Sequence, residues 1–291
     1  MVDHNTPDLD IRMSHPEMLL PGSESERTFF EDFSSGELNR STWNVRITGD
    51  VVNEEQQAYI DSPETIYVAS GLEAEGARGN VLVLHPRFRP GHATPDGDCF
   101  DFVSGRIDTR DKFHFRYGSA SARIKLPEGR GLWPAFWLMG GGSWPDTGEI
   151  DVMEYVGEPD WVSSAVHGPG YSGEQGLVNN LYFVDGVDAT GWHVYTVDWA
   201  SDRLVFKVDG AIIYRVTRPM VDFFGRWTFD NEKFLILNFA LGGVYPFKSN
   251  GIQWPYYGIS EEAMNAIKTD RAKVLVDWIR VDHFDSKREL T

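Results

Sequence analysis

One cysteine, Cys99, stands in a chain of 291 residues. No intrachain disulfide can form, so packing must hold the fold, and a chain this long buries a sizeable core without staples. Long apolar runs are missing too, and none approaches the length of a membrane span. Basic residues are in short supply. The 27 Lys and Arg face 44 Asp and Glu, for a formal net charge of −17. That balance argues against a nucleic-acid partner or an anionic membrane surface, since both call for a basic face. It also disfavours a sulfated or acidic polymer and leaves a neutral ligand as the best fit. Residues Met1-Val2-Asp3-His4-Asn5 carry no basic region followed by an apolar stretch, so no signal peptide is visible. Neither an internal repeat nor a low-complexity segment is present.

Helix signals are nearly absent as well. Ser260-Glu261-Glu262-Ala263 opens with a capping serine and early acids, which predicts one short helix over 260–269. Short strands and turns fill the rest. Val81-Leu82-Val83-Leu84 reads as a buried strand stopped by Pro86. Residues 87–98, with Pro90, Gly91, Pro95 and Gly97, read as a long loop. Strands are expected at 119–126, 234–240 and 273–281. Leu204 to Val208 alternates, and Asp209-Gly210 then predicts a hairpin turn. The segment 168–176, rich in glycine, reads as another loop. Residues 1–27, with Pro7, Pro16 and Pro21, read as an irregular tail, and 28–287 as a single domain. Many short strands with little helix predict an all-β fold, a two-sheet antiparallel β-sandwich.

The chemistry concentrates in Gly148-Glu149-Ile150-Asp151-Val152-Met153-Glu154. Three carboxylates are separated by apolar residues that suit a buried strand. Glu149 and Asp151 share a face of a regular strand, whereas Glu154 should face the other way. A β-bulge at Val152-Met153 would return it to the same side, and bulges often re-aim side chains beside active sites. Clustered carboxylates push one pKa up, which sets an acid beside an ionised base. A glycosidase acting with retention needs that pairing, with one carboxylate as nucleophile and the other as acid/base. The bland alternatives are an acidic surface strand or a metal site.

Glu149-Ile150-Asp151-Val152-Met153-Glu154 resembles the catalytic signature of glycoside hydrolase family 16 in its bulged form. Gly131-Leu132-Trp133-Pro134-Ala135-Phe136-Trp137-Leu138 resembles the segment before that signature in the laminarinases, the endo-1,3-β-glucanases of the family. Asn53 to Tyr59 and Ser104 to Thr109 resemble two earlier motifs. The resemblance runs from about Phe29 to Phe284. It implies a concanavalin A-like jelly roll, a neutral β-glucan as partner, a monomer and secretion.

The resemblance also assigns roles. Glu149 becomes the nucleophile, Glu154 the acid/base, and Asp151 the residue that tunes the proton balance. Trp133, Trp137 and Trp144 become sugar platforms, while Trp43, Trp199 and Trp278 stay in the core. Asn53, Glu55, Arg106, His167 and Asn238 fall at substrate-lining positions, and His193 reads as structural. Catalysis calls for no cofactor. A structural calcium is implied on the convex sheet at Glu31, the Gly79 carbonyl and Asp277, since calcium takes oxygen ligands. The chain departs from the pattern at Tyr117 to Arg123 and at Val244-Tyr245, which points to an altered rim subsite. The resemblance extends to laminarin-type β-1,3-glucan and to mixed-linkage 1,3-1,4-glucan as substrates; alternatives are a hydrolase or transglycosylase acting on another neutral β-glycan such as galactan, or a β-glucan-binding module without catalysis.

Overall fold

The computed structural model describes residues 27–95 and 97–283. All but the last residue of the expected tail, 1–27, lies outside the described residues. Eighteen strands follow in chain order: β1 (Arg27–Glu31), β2 (Asn44–Val45), β3 (Gln57–Tyr59), β4 (Ile66–Ala69), β5 (Val81–Leu84), β6 (Arg87–Ala93), β7 (Cys99–Ser104), β8 (Arg106–Asp108) and β9 (Gly118–Lys125) in the first half. The second half holds β10 (Leu132–Gly140), β11 (Glu149–Glu154), β12 (Trp161–His167), β13 (Leu177–Tyr182), β14 (Trp192–Trp199), β15 (Arg203–Val208), β16 (Ala211–Thr217), β17 (Lys233–Leu241) and β18 (Val274–Asp282).

Two sheets face each other. One runs β13-β12-β11-β10-β17-β8-β2, and the other β16-β15-β14-β9-β18-β5-β4 with β1 also paired to β18. Both are antiparallel throughout. Their inner faces meet in one core that includes Phe136, Leu138, Ile150, Tyr195, Trp199, Phe206, Leu237 and Ile279. This is the sandwich that the strand pattern predicts. Trp43 and Trp199 are fully buried and Trp278 nearly so.

The hairpin turn at Asp209-Gly210 has positive φ at both residues, 50° and 82°. That conformation matches strand twist and favours this dipeptide. The helix near 260 is α3 (Glu261–Lys268), capped by the Ser260 side chain, which accepts from Ala263 N. Two further helices occur, α1 (Arg218–Phe224) and α2 (Val244–Asn250). Each has only seven residues, too few to show a hydrophobic period in the sequence. Residues 87–98 also depart from expectation. Arg87–Ala93 is strand β6, paired with β7 in a third small sheet, order β3-β7-β6. Pro90 and Gly91 mark an irregularity within that pairing rather than a loop.

Phe136 lies on β10, beside the catalytic-signature strand, with no exposed surface. Phe136→Ala is expected to cost roughly 3–5 kcal/mol of stability through lost burial and a cavity. The urea midpoint should fall with the slope unchanged; a loss under about 1 kcal/mol would mean the two sheets close over the gap.

Candidate active site

The bulge expected at Val152-Met153 is present. Trp137 pairs with Asp151 and Phe136 with Met153, which leaves Val152 as the extra residue. On the other side, Asp151 pairs with Ala165 and Glu154 with Ser163. Ser164 Oγ donates to the Val152 carbonyl at 2.9 Å and so satisfies a backbone group of the bulge. Ile150, Val152 and Met153 all enter the core. Glu149, Asp151 and Glu154 are thereby left together on the opposite face.

Each carboxylate has a distinct setting. Glu154 Oε1 accepts from Trp133 Nε1 at 3.1 Å. Glu149 accepts from the Trp144 side chain and shares a hydrogen bond with Asp151. Asp151 Oδ2 faces His167 Nε2 at 3.3 Å. Burial, reinforced by the Asp151 charge, pushes Glu149 up to about 8. Burial also pushes Glu154 up to about 7, against the lowering pull of His167 and Trp133. Asp151, the most enclosed of the three, lies well above the usual carboxylate range for the same reason. The cluster therefore holds fewer than three negative charges near neutral pH.

Two glycines make room for this arrangement. Gly148 has φ of 71°, and a Cβ there would lie 2.6 Å from the Thr228 carbonyl oxygen. A Cβ on Gly176 would lie 2.3 Å from His167 Cε1. Beneath the entry to β11, the fully buried Lys233 donates to the Thr147 carbonyl at 2.7 Å and the Thr228 carbonyl at 3.3 Å, and also bonds Asn231 Oδ1. It fixes the backbone two residues ahead of Glu149.

The flanking strands supply a polar wall. Trp137 Nε1 donates to Asn238 Oδ1 at 2.7 Å, and Asn238 Nδ2 donates to Tyr59 Oη at 3.0 Å. The Arg106 guanidinium lies 5.0 Å from the Trp137 ring centre. Glu55 accepts from Gln57 Nε2 at 2.8 Å, and burial raises its pKa despite nearby Arg106. Asn53 sits apart, in an exposed left-handed turn whose carbonyl accepts from Val244 N at 2.8 Å. Trp144, 49% exposed, has the open surface a platform needs, whereas Trp133 is 9% exposed and serves as a donor to Glu154. His193 is structural, held by Asp209 Oδ2 at 2.7 Å and the Asp188 carbonyl at 2.8 Å. Sequence reasoning placed Tyr59 in a motif and Tyr245 at an altered rim, and gave neither hydroxyl a role at the site. The second contacts Ser163 Oγ at 2.9 Å and packs edge-on against Trp133.

By ligand type, Glu149, Asp151 and His167 form the one group of three or more such side chains, among the described residues, that could hold a metal ion. The calcium set expected at Glu31, Gly79 and Asp277 does not fit. Asp277 Oδ1 accepts from Arg78 N at 3.0 Å and Oδ2 from Arg123 Nη1 at 2.6 Å. Glu31 accepts from Phe33 N at 2.9 Å and Trp43 Nε1 at 3.4 Å. Every carboxylate oxygen in the set already meets a donor, and Asp277 already has a cation. Arg123 also donates to the Gly76 carbonyl at 3.0 Å, so the guanidinium bridges loop and strand.

A family model described as glycosyl hydrolases family 16 matches residues 48–234. The chain belongs to that family. A "Beta-glucanase" of Rhodothermus marinus is 33% identical over 227 residues, covering 74% of this chain and 72% of the relative. "Glucan endo-1,3-beta-glucosidase A1" of Niallia circulans is 31% identical over 243 residues, covering 74% of this chain and 33% of that protein. The solved endo-β-1,3-glucanase of Pyrococcus furiosus superposes with a TM-score of 0.76 at 31% identity, covering 89% of this chain and 94% of its own. The family 16 fold thus accounts for nearly all of the described residues.

Two outcomes follow from this geometry. A carboxyl group whose folded pKa is raised takes up a proton on folding, so its contribution grows unfavourable as pH climbs from 4.5 through about 8. Glu149→Gln should flatten that fall and add roughly 1–3 kcal/mol at pH 8.5, seen in urea midpoints at pH 5 and 8.5. Parallel pH curves for the two proteins would contradict the raised pKa. In the second case, EDTA should leave the melting temperature unchanged, while Arg123→Ala should cost roughly 3–5 kcal/mol by stranding Asp277. A fall on chelation would restore a metal to the convex sheet.

Proposed function

We propose that this family 16 enzyme hydrolyses internal bonds of a neutral β-1,3-glucan with retention of anomeric configuration. One observation carries the reading: the bulge gathers Glu149, Asp151 and Glu154 on one enclosed face. Such a pair of carboxyl groups suits double displacement. Glu149 attacks the anomeric carbon and forms a glycosyl-enzyme intermediate. Glu154, raised to about 7, carries a proton often enough at neutral pH to give it to the departing oxygen. It then takes a proton from the water that attacks the intermediate. Glu149, raised to about 8, must shed its proton to attack, and the more deeply buried Asp151 beside it, itself raised well above the usual carboxylate range, is placed to take it. His167 limits how much negative charge Asp151 must bear without a partner.

The substrate assignment is supported by the names of the matched relatives and by the wall of Trp137, Asn238, Tyr59 and Glu55, which offers amide, hydroxyl and carboxyl groups to sugar hydroxyls. Net charge of −17 favours a neutral glycan. A polymer of this kind does not cross a membrane, which favours action outside the cell.

Product analysis on laminarin, mixed-linkage glucan and galactan tests the reading. The enzyme should release oligosaccharides from laminarin, and proton NMR should show the β-anomer first. Glu149→Gln is expected to lower kcat at least about a thousandfold. Azide should restore turnover in Glu149→Ala and give an α-glycosyl azide. Release from galactan alone, or α-anomer from laminarin, would sink the substrate or the mechanism respectively.

A further inference from the structure

The pairing register lays one straight row of residues across the groove sheet. It reads Arg106, Asn238, Ala135, Glu154, Ser163, Asn180. Glu154 divides the row into two arms. On one side lies the buried polar wall of Asn238, Arg106 and Trp137. The other arm crosses β12 to the edge strand β13 and carries a different surface.

Along β13 the side chains alternate, with Val178, Asn180 and Tyr182 exposed and their neighbours half-buried. Trp161 pairs with Tyr182 and Ser163 with Asn180, so these residues share the face of Glu154. Tyr182 is 60% exposed, and its ring lies 6.3 Å from that of Trp161. They line a hollow of about 630 Å³ that Tyr245 joins to the catalytic acid. The connection is direct: Ser163 Oγ to Tyr245 Oη at 2.9 Å, Tyr245 against Trp133, and Trp133 Nε1 to Glu154. The charged groups of the hollow already have partners. Lys248 pairs with Glu174 at 2.8 Å, and Glu158 takes Trp161 Nε1 at 2.8 Å and Ser249 Oγ. An exposed aromatic face beside amide groups, with the nearby Lys248 and Glu158 engaged by protein partners, suits a neutral sugar ring.

We propose that Tyr182, Asn180 and Tyr245 bind the sugar units on the leaving-group side of the scissile bond. This rests on the glucan-hydrolase reading above. The buried wall opposite is where hydrogen bonds can tighten on the sugar that reacts, as glycoside hydrolysis requires. The shallower edge arm must hold a fragment and then release it. Neighbouring strands lie about 4.8 Å apart, so Asn180 stands roughly 10 Å from the Glu154 backbone, beyond the bond being cut.

The direction of the effect tests the assignment. β-1,3-Gluco-oligosaccharides labelled at the reducing end are digested by wild type, Tyr182→Ala and Tyr182→Phe, and the labelled fragments are sized. Losing a leaving-group contact moves cleavage toward the reducing end. Tyr182→Ala should shorten the labelled fragments by one unit and raise KM roughly tenfold, with kcat changing less. Tyr182→Phe, which keeps the ring, should retain the wild-type pattern. Unchanged fragments, or a shift toward the non-reducing end, would overturn the proposal. Wild type that leaves these oligosaccharides intact but cuts galactan would overturn the substrate reading alone, and the same comparison on labelled galacto-oligosaccharides then decides the arm.

Discussion

In a strand whose faces alternate strictly, Glu154 would point into the hydrophobic core, where an unpaired carboxylate is ruinously expensive. The bulge at Val152-Met153 turns that residue outward without withdrawing Ile150, Val152 or Met153 from the core. Everything at the site depends on this one extra residue. It lets a single strand serve as packing element on one side and as a row of acids on the other. The neighbouring Ser164 hydroxyl, by meeting the Val152 carbonyl, keeps the irregularity from leaving that backbone group unmet.

Crowding three carboxylates still opposes folding, and the surroundings answer it locally. Trp133 and Trp144 donate to the outer two, while His167 faces the inner one. Gly176 leaves room for the His167 ring, and Gly148 lets the turn into Glu149 pass close to Thr228. Lys233 adds a buried cation that binds carbonyls instead of an acid. Its own pKa falls to about 7 because burial disfavours the charge. The site is therefore costly on both signs of charge, and the large shared core of the sandwich must carry that cost.

The sequence made the catalytic strand legible because its signal is local. Apolar and acidic residues alternate within six positions, and the one phase error points to the bulge. The Asp209-Gly210 turn and the Ser260 cap were readable for the same reason. What escaped depends on long-range partners. Asp277 meets Arg123 across 154 residues, so no inspection of either segment shows that the carboxylate already has a cation. The hydroxyls of Tyr59 and Tyr245 have no visible partners until the fold sets them beside Asn238 and Ser163. Pro90 and Gly91 argue for a loop by composition, yet β7 captures that segment as a strand on either side of an irregularity.

Strand order has a consequence for how the chain comes to be folded. β18 is the last described strand, yet it lies inside its sheet between β9 and β5, and β1 pairs with it too. During synthesis, β9 is made some 150 residues before its neighbour. Until residue 282 has been polymerised, the inner edges of β5 and β9 stand open, ready to pair with any other extended chain. Closure is then a slow step, because it joins distant segments. Between the making of β9 and of β18 the nascent chain carries an unfinished sheet, and the burden of preventing aggregation over that interval falls on whatever shields those edges.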